Sequence, residues 1–497
     1  MVIVDRVHIE NFRSIKNVDL KFHQLNAIIG PNNAGKSNIL KALSIVLGET
    51  YPSSRMFEEN DYFDRDLDKV IKIDVRFDNS FIEPRYLMEI SGFRLECYKE
   101  DFTYIALDSK GEPLKYNNGG VVRVSQDMRD EVPLLFLDVD RQSAHQVRAT
   151  QWTLYGKILR QIEKNIPDIN KKQFFQDVLA SFNSKIFHVS PGSDLKYLEE
   201  QLKTTIKDHT GFDLLLQLSV LDSLEVIKNV RPYITDGLTS QKYDPEDMGA
   251  GTQSALTVSI ARAYSDIVKK SVILAIEEPE LHFHPQACRN MYNTFKNMSS
   301  SGLQIIYTTH SQSFVDISDF DSLHIVRKAG HRTVVESGLK LSTSNSLSKN
   351  KVVTKFNEQV NQTLFADHVV LVEGVDDEIA CRAMIEKLGY DIFKNNISVT
   401  SCGGIDNVPA IASVLQSLKI DTLALVDEDP GNVKTLSIRN KIENIIGESQ
   451  ILLQSPNLEG LFGQQTKFDQ ITALSYFRNH TGSIPKVYSD LVGRLSH

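Results

Sequence analysis

Two sets of residues in this chain have the types and spacing to do chemistry. The first is acidic. The apolar run Val369-Val370-Leu371-Val372 stops on Glu373 and Gly374, and Asp376, Asp377 and Glu378 follow at once. Further on, the apolar run LALV ends in Asp427-Glu428-Asp429. Alternating strands and helices in this part of the chain imply a parallel sheet, whose strands can bring their carboxyl ends together. Carboxylates that converge there repel one another unless a hard cation lies among them. Glu373, Asp427 and Asp429 therefore read as ligands of Mg²⁺ or Mn²⁺, with Asp377 one helical turn beyond Glu373. Strand alternation turns Asp427 and Asp429 to one side and Glu428 to the other.

The second set is built for phosphate. Gly30-Pro31-Asn32-Asn33-Ala34-Gly35-Lys36-Ser37 fits GxxxxGK[ST], after the apolar strand LNAIIG and before a helix. Loop amides around Asn32, Asn33 and Gly35, with the helix N-terminus, would stabilise phosphate charge. Lys36 would reach the outer phosphates and Ser37 would offer an oxygen to Mg²⁺, so ATP is the implied ligand. The strand VILAIEE supplies the acids such a loop needs: Glu277 to orient the metal's waters and Glu278 to activate the attacking water. Gly249 and Gly251, in MGAGTQS, precede a helix expected from about Gln253, whose N-terminus could face a phosphate. His310 ends LQIIYTTH, where it could sense a γ-phosphate. His282 and His284 alternate as paired metal ligands on a strand would, but no Cys or third His accompanies them, and a dimer-contacting loop is the better reading.

These residues need a scaffold. At 497 residues the chain has room for two or three domains. With 41% apolar and 24% charged residues it reads as soluble and globular, and no apolar stretch approaches the roughly 18 residues of a membrane span. A net charge of −9 excludes a protein coated in positive potential, so polyanion binding must be local. Four scattered cysteines and a strand-like start without a secretory pattern point to a reducing cytoplasm. Strands at VDRVHIENF, SIKNVDLKF and IKIDVRF, with shorter pieces to about Asp138, accompany a P-loop helix from about Lys36 to Leu47. Helical periodicity in LYGKILRQIEKNI, QFFQDVLASF and DLKYLEEQLKTTIKD marks an insertion. Strand-like LLLQLSV and VIKNVRPYI follow it. KLSTSNSLSKNK reads as a linker. The expected division is 1–149 and 209–339 for the two parts of an ATPase, 150–208 for the insertion, 340–364 for the linker and 365–497 for a second α/β domain.

Taken together, IENFRSIKNVDLKF, GAGTQS, EEPELHFHP and TTHSQSF make the first 335 or so residues resemble the ABC-type ATPases of the SMC and RecF group. That resemblance implies heads that sandwich ATP in a dimer, with Gly249 and Gly251 acting across it and His310 as the switch histidine. Gln142, in FLDVDRQSAHQ, is a candidate for the glutamine loop of this class. E-G-x-x-D followed by D-x-D resembles the Toprim domain of topoisomerases, primases and some nucleases, whose chemistry is phosphoryl transfer. No room remains for a topoisomerase's tyrosine domain or a primase's nucleotide-loading fold. ATPase then Toprim, with LFADHVVLVEG at the junction, is similar to the OLD (overcoming lysogenisation defect) nucleases of bacteria and phages over nearly the whole chain.

The resemblance implies an α/β chain: an ABC-type P-loop ATPase head with a helical dimerisation insertion, then a Rossmann-like Toprim domain. It implies that Glu373, Asp377, Asp427, Asp429 and Glu459 hold two metal ions, and that Lys486, in GSIPKVYSD, stabilises charge on the scissile phosphate. The expected activity is that of an ATP-binding, metal-dependent DNA endonuclease in anti-phage defence. It would work as a homodimer or higher oligomer, in some cases beside a neighbouring defence-system protein or nucleic acid, and away from membranes. The alternative is a non-nucleolytic DNA-binding or repair clamp, which would leave clustered carboxylates as an unused cost. An RNA-directed nuclease also fits, because phosphodiester cleavage needs no base identity.

Overall fold

Apolar and polar residues alternate in the opening segments, and each buries one face as a strand: β1 (Val4–Phe12) and β2 (Ile15–Lys21). The wholly apolar LNAII that follows is β3 (Leu25–Ile29), buried along its length, and it leads through the glycine-rich turn into α1 (Lys36–Leu47). This computed structural model describes residues 2–83, 85, 87–138, 153–182, 194–210, 230–235, 241–268, 271–281, 283–316, 321–337, 358–468 and 470–496. LLLQLSV, KLSTSNSLSKNK, Gln142 and His282 lie outside the described residues. Strands β4 (Ile71–Ile82), β5 (Glu89–Tyr98) and β6 (Asp101–Leu107) complete an antiparallel sheet in the order β2-β1-β4-β5-β6.

The chain divides into two compact units, Met1–Val139 with Lys270–His497, and Asp140–Lys269. In the first, α2 (Gln126–Arg129) is followed by β7 (Leu134–Leu137). Arg129 is fully buried and grips the C-terminal end of α1, donating to the carbonyls of Val46, Gly48 and Thr50. A cation at that end satisfies carbonyls the helix leaves open and complements its dipole. The second unit contains α3 (Leu154–Asn165), α4 (Asp168–Phe182), α5 (Asp194–Thr210), the short antiparallel pair β8 (Ile234–Thr235) and β9 (Lys242–Tyr243), and α6 (Ala250–Val268). It includes described parts of the expected insertion and the MGAGTQS stretch.

The first unit resumes with β10 (Ile273–Glu277), α7 (Pro285–Ser300), β11 (Gln304–Thr309), β12 (Leu323–Ala329) and β13 (Arg332–Ser337). The sheet order is β13-β12-β3-β11-β10-β7, parallel except for β13. The P-loop strand β3 thus lies between β12 and β11, and the acid-bearing β10 comes next. After α8 (Glu358–Asn361) the chain alternates strictly: β14 (His368–Val372), α9 (Val375–Lys387), β15 (Ile397–Ser401), α10 (Val408–Ser417), β16 (Asp421–Asp427), α11 (Val433–Ile446) and β17 (Ile451–Gln454). These strands form an all-parallel sheet, β15-β14-β16-β17. Helices α12 (Leu458–Leu461), α13 (Gln470–Asn479) and α14 (Lys486–Leu495) close the chain. One core joins the antiparallel sheet to α1, and a second lies under α9, α13 and α14.

Candidate functional site

The nucleotide site follows from close backbone approach. A Cβ on Gly30 would lie 2.0 Å from the carbonyl oxygen of Val326, and one on Gly35 would lie 2.1 Å from Thr333 Oγ1, so β12 and β13 back directly onto the loop. Thr333 donates to the Ala34 carbonyl at 2.8 Å and pairs with Ser14 Oγ at 2.7 Å. Lys36 Nζ donates to the carbonyls of Gly30 and Pro31, each at 3.0 Å, and to His310 Nε2 at 2.7 Å. Burial lowers Lys36 to about 8. Burial, then the Lys36 charge, lowers His310. Since Nε2 accepts, the ring is neutral with its proton on Nδ1.

Glu278 Oε1 lies 3.5 Å from His310 Nε2, so Lys36, Glu278 and His310 meet as the motifs required. Glu278 has a positive φ of 42° just past β10, held by its N–H to the Thr308 carbonyl at 2.9 Å. Glu277 is buried at the strand's last position, whereas Asn32, Asn33 and Ser37 are exposed along the loop. Sequence reasoning missed Glu280, whose Oε1 accepts the His310 backbone N–H at 2.6 Å and whose carboxyl burial pushes up. Its signal was the third acid of EEPE. In the second unit α6 starts at Ala250 rather than near Gln253, so Gly249 precedes the helix and Gly251 lies in its first turn. Gln253 faces back from inside the helix, donating to the Met248 carbonyl at 2.8 Å. His284 caps the start of α7 and is not in a strand, so alternation does not apply to it.

The acidic site sits at the carboxyl edge of the parallel sheet. Glu373 follows β14, Asp427 ends β16, and Asp377 lies in the first turn of α9. Glu373 Oε1 accepts the Asp427 N–H at 2.9 Å, bridging the two strand ends. Asp377 Oδ2 accepts the Gly374 N–H at 2.9 Å, and Asp427 Oδ1 the Leu458 N–H at 3.0 Å. Burial pushes Glu373 up to about 7, with the charges of Asp377 and Asp429 adding to it. Burial pushes Asp377 up to about 6, and the Glu459 charge adds. Asp427 rises to about 8, through burial and then repulsion from Asp377, Glu373 and Asp429. Glu373, Asp377, Asp427 and Asp429 thus form one chain of mutual repulsion, and Glu459 joins it through Asp377.

One expectation changes. The pleat argument for Asp429 fails, because β16 ends at Asp427 and Asp429 takes a positive φ of 42°, with its N–H on the Pro456 carbonyl at 2.9 Å. That turn, not alternation, brings it back to the cluster. Of the acids after Glu373, Glu378 is taken up in support of the fold, accepting from Ser401 N–H at 3.1 Å and from Arg382 Nε at 3.1 Å. Lys486 is exposed at the first position of α14. Lys467, which sequence reasoning missed, is the cation whose charge lowers Glu373, and the neighbouring Phe468 N–H reaches Glu459 Oε1 at 3.4 Å.

Among the described residues no three His, Cys, Asp or Glu side chains are gathered as a metal site. The donor chemistry nevertheless fits a hard divalent cation: carboxylate oxygens that burial and mutual repulsion keep from their charged forms.

Residues 1–209 and 129–315 match the family described as AAA ATPase domain, and residues 364–429 match the overcoming lysogenization defect protein-like TOPRIM domain. Fold and sites thus define a nuclease with an ATPase domain. An OLD nuclease of Thermus scotoductus is 31% identical over 86% of this chain and 82% of its own. The Old nuclease of Escherichia phage P2 is 22% identical over 85% and 76%, and the endonuclease GajA of Bacillus cereus 23% over 80% and 70%. The chain belongs to the OLD nuclease family.

Proposed function

We propose that this protein is a metal-dependent DNA endonuclease whose Toprim site hydrolyses phosphodiesters under the control of nucleotide at the P-loop, in the service of anti-phage defence. The observation that carries the reading is the bond from Asp427 N–H to Glu373 Oε1, which draws two half-buried strand-end acids together with the buried Asp377 beside them. Glu373, Asp377, Asp427, Asp429 and Glu459 would hold two Mg²⁺ or Mn²⁺ ions. When bound, such a pair activates water and supports the leaving oxygen. Lys467 and Lys486 supply positive charge for the scissile phosphate, Lys467 from the loop against Glu459. At the other site Lys36 binds the outer phosphates of ATP, Glu277 and Ser37 serve its Mg²⁺, Glu278 polarises the attacking water and His310 senses the γ-phosphate. Gly249 and Gly251 would act on the nucleotide across a homodimer. Exposed Ile169, Phe174, Tyr197 and Leu198 on α4 and α5 support dimerisation through the insertion.

The test is plasmid cleavage with and without Mn²⁺, with DNA and RNA in parallel. Wild-type protein cuts DNA only with the ion, and Glu373→Ala is inactive. Undiminished cutting by that variant removes the assignment, and RNA cut in preference to DNA changes the substrate.

Control by nucleotide is supported by the β12–β13 hairpin, which touches both machines. It backs the P-loop through Val326 and Thr333. It also holds the Toprim domain: Arg327 donates to the carbonyls of Lys419 and Ala366, each at 3.2 Å, and Glu336 pairs with Lys419 Nζ at 2.8 Å. Allosteric couplings are typically about 1–3 kcal/mol, a 5- to 150-fold effect, and a few charge-assisted bonds are of that size. In Arg327→Ala/Lys419→Ala the ratio of cutting with ATP to cutting without it should move toward one, while ATP binding and metal-dependent cutting persist. An unchanged ratio excludes the hairpin as the route.

A further inference from the structure

Two buried polar side chains beside the acidic cluster carry polar atoms that complete no hydrogen bond of good geometry. Gln454 is the last residue of β17, and the register sets it directly beside Asp427. Its carbonyl accepts the Glu428 N–H at 2.9 Å, so its backbone already fixes the turn that carries Asp427 to Asp429. The side chain is fully buried, and neither Oε1 nor Nε2 completes a hydrogen bond of good geometry. The amide nevertheless lies close enough to Asp377 to favour its charged form. Tyr488, on α14, is also fully buried, with a hydroxyl that meets no partner. That hydroxyl feels the charges of Asp377 and Asp427 and of Cys381, and the ring packs against Phe462.

Native interiors seldom leave such groups unsatisfied, and two at one spot call for a role. Both are neutral, fully buried donors beside the cluster. Asp377 and Asp427 each have one oxygen held by a backbone N–H. Ligating carboxylates are characteristically held by a further set of hydrogen bonds that fixes their orientation, and loss of such a bond costs about 10- to 100-fold in metal affinity.

We propose that Gln454 and Tyr488 are positioning residues for the nuclease site: as the acids close around divalent cations, the Gln454 amide and the Tyr488 hydroxyl donate to Asp377 and Asp427 and hold them in the ligating orientation. Being uncharged, the two donors steady the acids without competing with the cations as a buried Lys or Arg would. This rests on the reading of the acids as metal ligands, and the test separates the two.

Mn²⁺ binding to the full-length protein is measured by calorimetry and electron paramagnetic resonance, alongside melting without metal, for wild type, Asp427→Asn, Gln454→Leu and Tyr488→Phe. Gln454→Leu and Tyr488→Phe each weaken Mn²⁺ about 10- to 100-fold. Each melts at or above the wild-type temperature, because an unsatisfied buried group has gone. Excess Mn²⁺ restores most cutting in both, so the defect lies in the metal concentration needed and not in the limiting rate. Gln454→Asn, which keeps an amide, recovers part of the affinity. If Asp427→Asn loses Mn²⁺ while Gln454→Leu and Tyr488→Phe keep wild-type affinity, this inference fails and the site assignment stands. If Asp427→Asn binds Mn²⁺ and cuts like wild type, the site assignment itself fails. Lower melting with unchanged affinity marks a merely structural role and also overturns the proposal; should Gln454→Leu not fold, Tyr488→Phe, lacking a single oxygen, decides it.

Discussion

Asp427→Asn is expected to reduce plasmid cleavage by more than about 100-fold and at the same time to raise the melting temperature of the metal-free protein at neutral pH. The amide keeps the size of the side chain and an oxygen for the Leu458 N–H, so the turn at the end of β16 survives. It removes the charge that the ions need and that Asp377, Glu373 and Asp429 repel. The sign with pH follows from the raised carboxyl. In the unfolded chain Asp427 loses its proton near its ordinary value, in the fold only at about 8, so the unfolded state binds fewer protons between those limits. Stability of the metal-free protein therefore falls as pH rises across that window. Asn has no proton to lose, so the variant's advantage is largest near pH 8 and shrinks near pH 5. Mn²⁺ should raise the wild-type melting temperature and leave that of the variant almost unmoved. Melting curves in chelator and in Mn²⁺ at the two pH values, run beside the cleavage assay, check each part; wild-type cutting by Asp427→Asn would end the two-ion reading.

Glu278→Gln is expected to slow ATP turnover by about 10²- to 10³-fold while ATP stays bound. The backbone at Glu278 is held in its left-handed conformation by bonds to the Thr308 carbonyl and hydroxyl, which an amide side chain does not disturb. Only the basic carboxylate beside His310 is lost. Lys36 contacts the carbonyls of Gly30 and Pro31 and His310, so the P-loop lysine and the histidine beside Glu278 share one site. The variant keeps these contacts and loses only the activation of water, so it should collect in the ATP-bound form. Single-turnover hydrolysis and nucleotide retention after gel filtration measure the two halves. Turnover equal to wild type would leave Glu278 without its role.

The ATP site was largely legible because its parts are local. A glycine-rich turn between a buried strand and a helix must expose its amides at that helix's N-terminus, and Gly30, Gly35, Lys36 and Ser37 are close in sequence. The second acid of EEPE and the His after the next strand follow from parallel pairing, which aligns Glu277 with Thr308. Glu280 was missed because its partner is a backbone N–H thirty residues away in sequence, which no spacing encodes. The boundaries of β1, α1 and β14 came from alternation, from the turn and from the acid stop, all short-range signals.

What the sequence alone determined was therefore the elements that carry the motifs, their α/β order and the residue types able to bind phosphate or a hard cation, because periodicity and turn chemistry act over a few residues. Tertiary structure decided which atoms meet. The order β15-β14-β16-β17 sets Glu373 beside Asp427 and Gln454 beside Asp427. A left-handed turn, invisible to a period of two, brings Asp429 back to the acids. Lys467 and Tyr488 come to the acids from a loop and from α14, and Gln454 from the end of β17, so their approach depends on how the C-terminal segments fold over α9 and β17. Such contacts arise from packing across long separations in sequence, and packing is fixed only when the whole core is assembled.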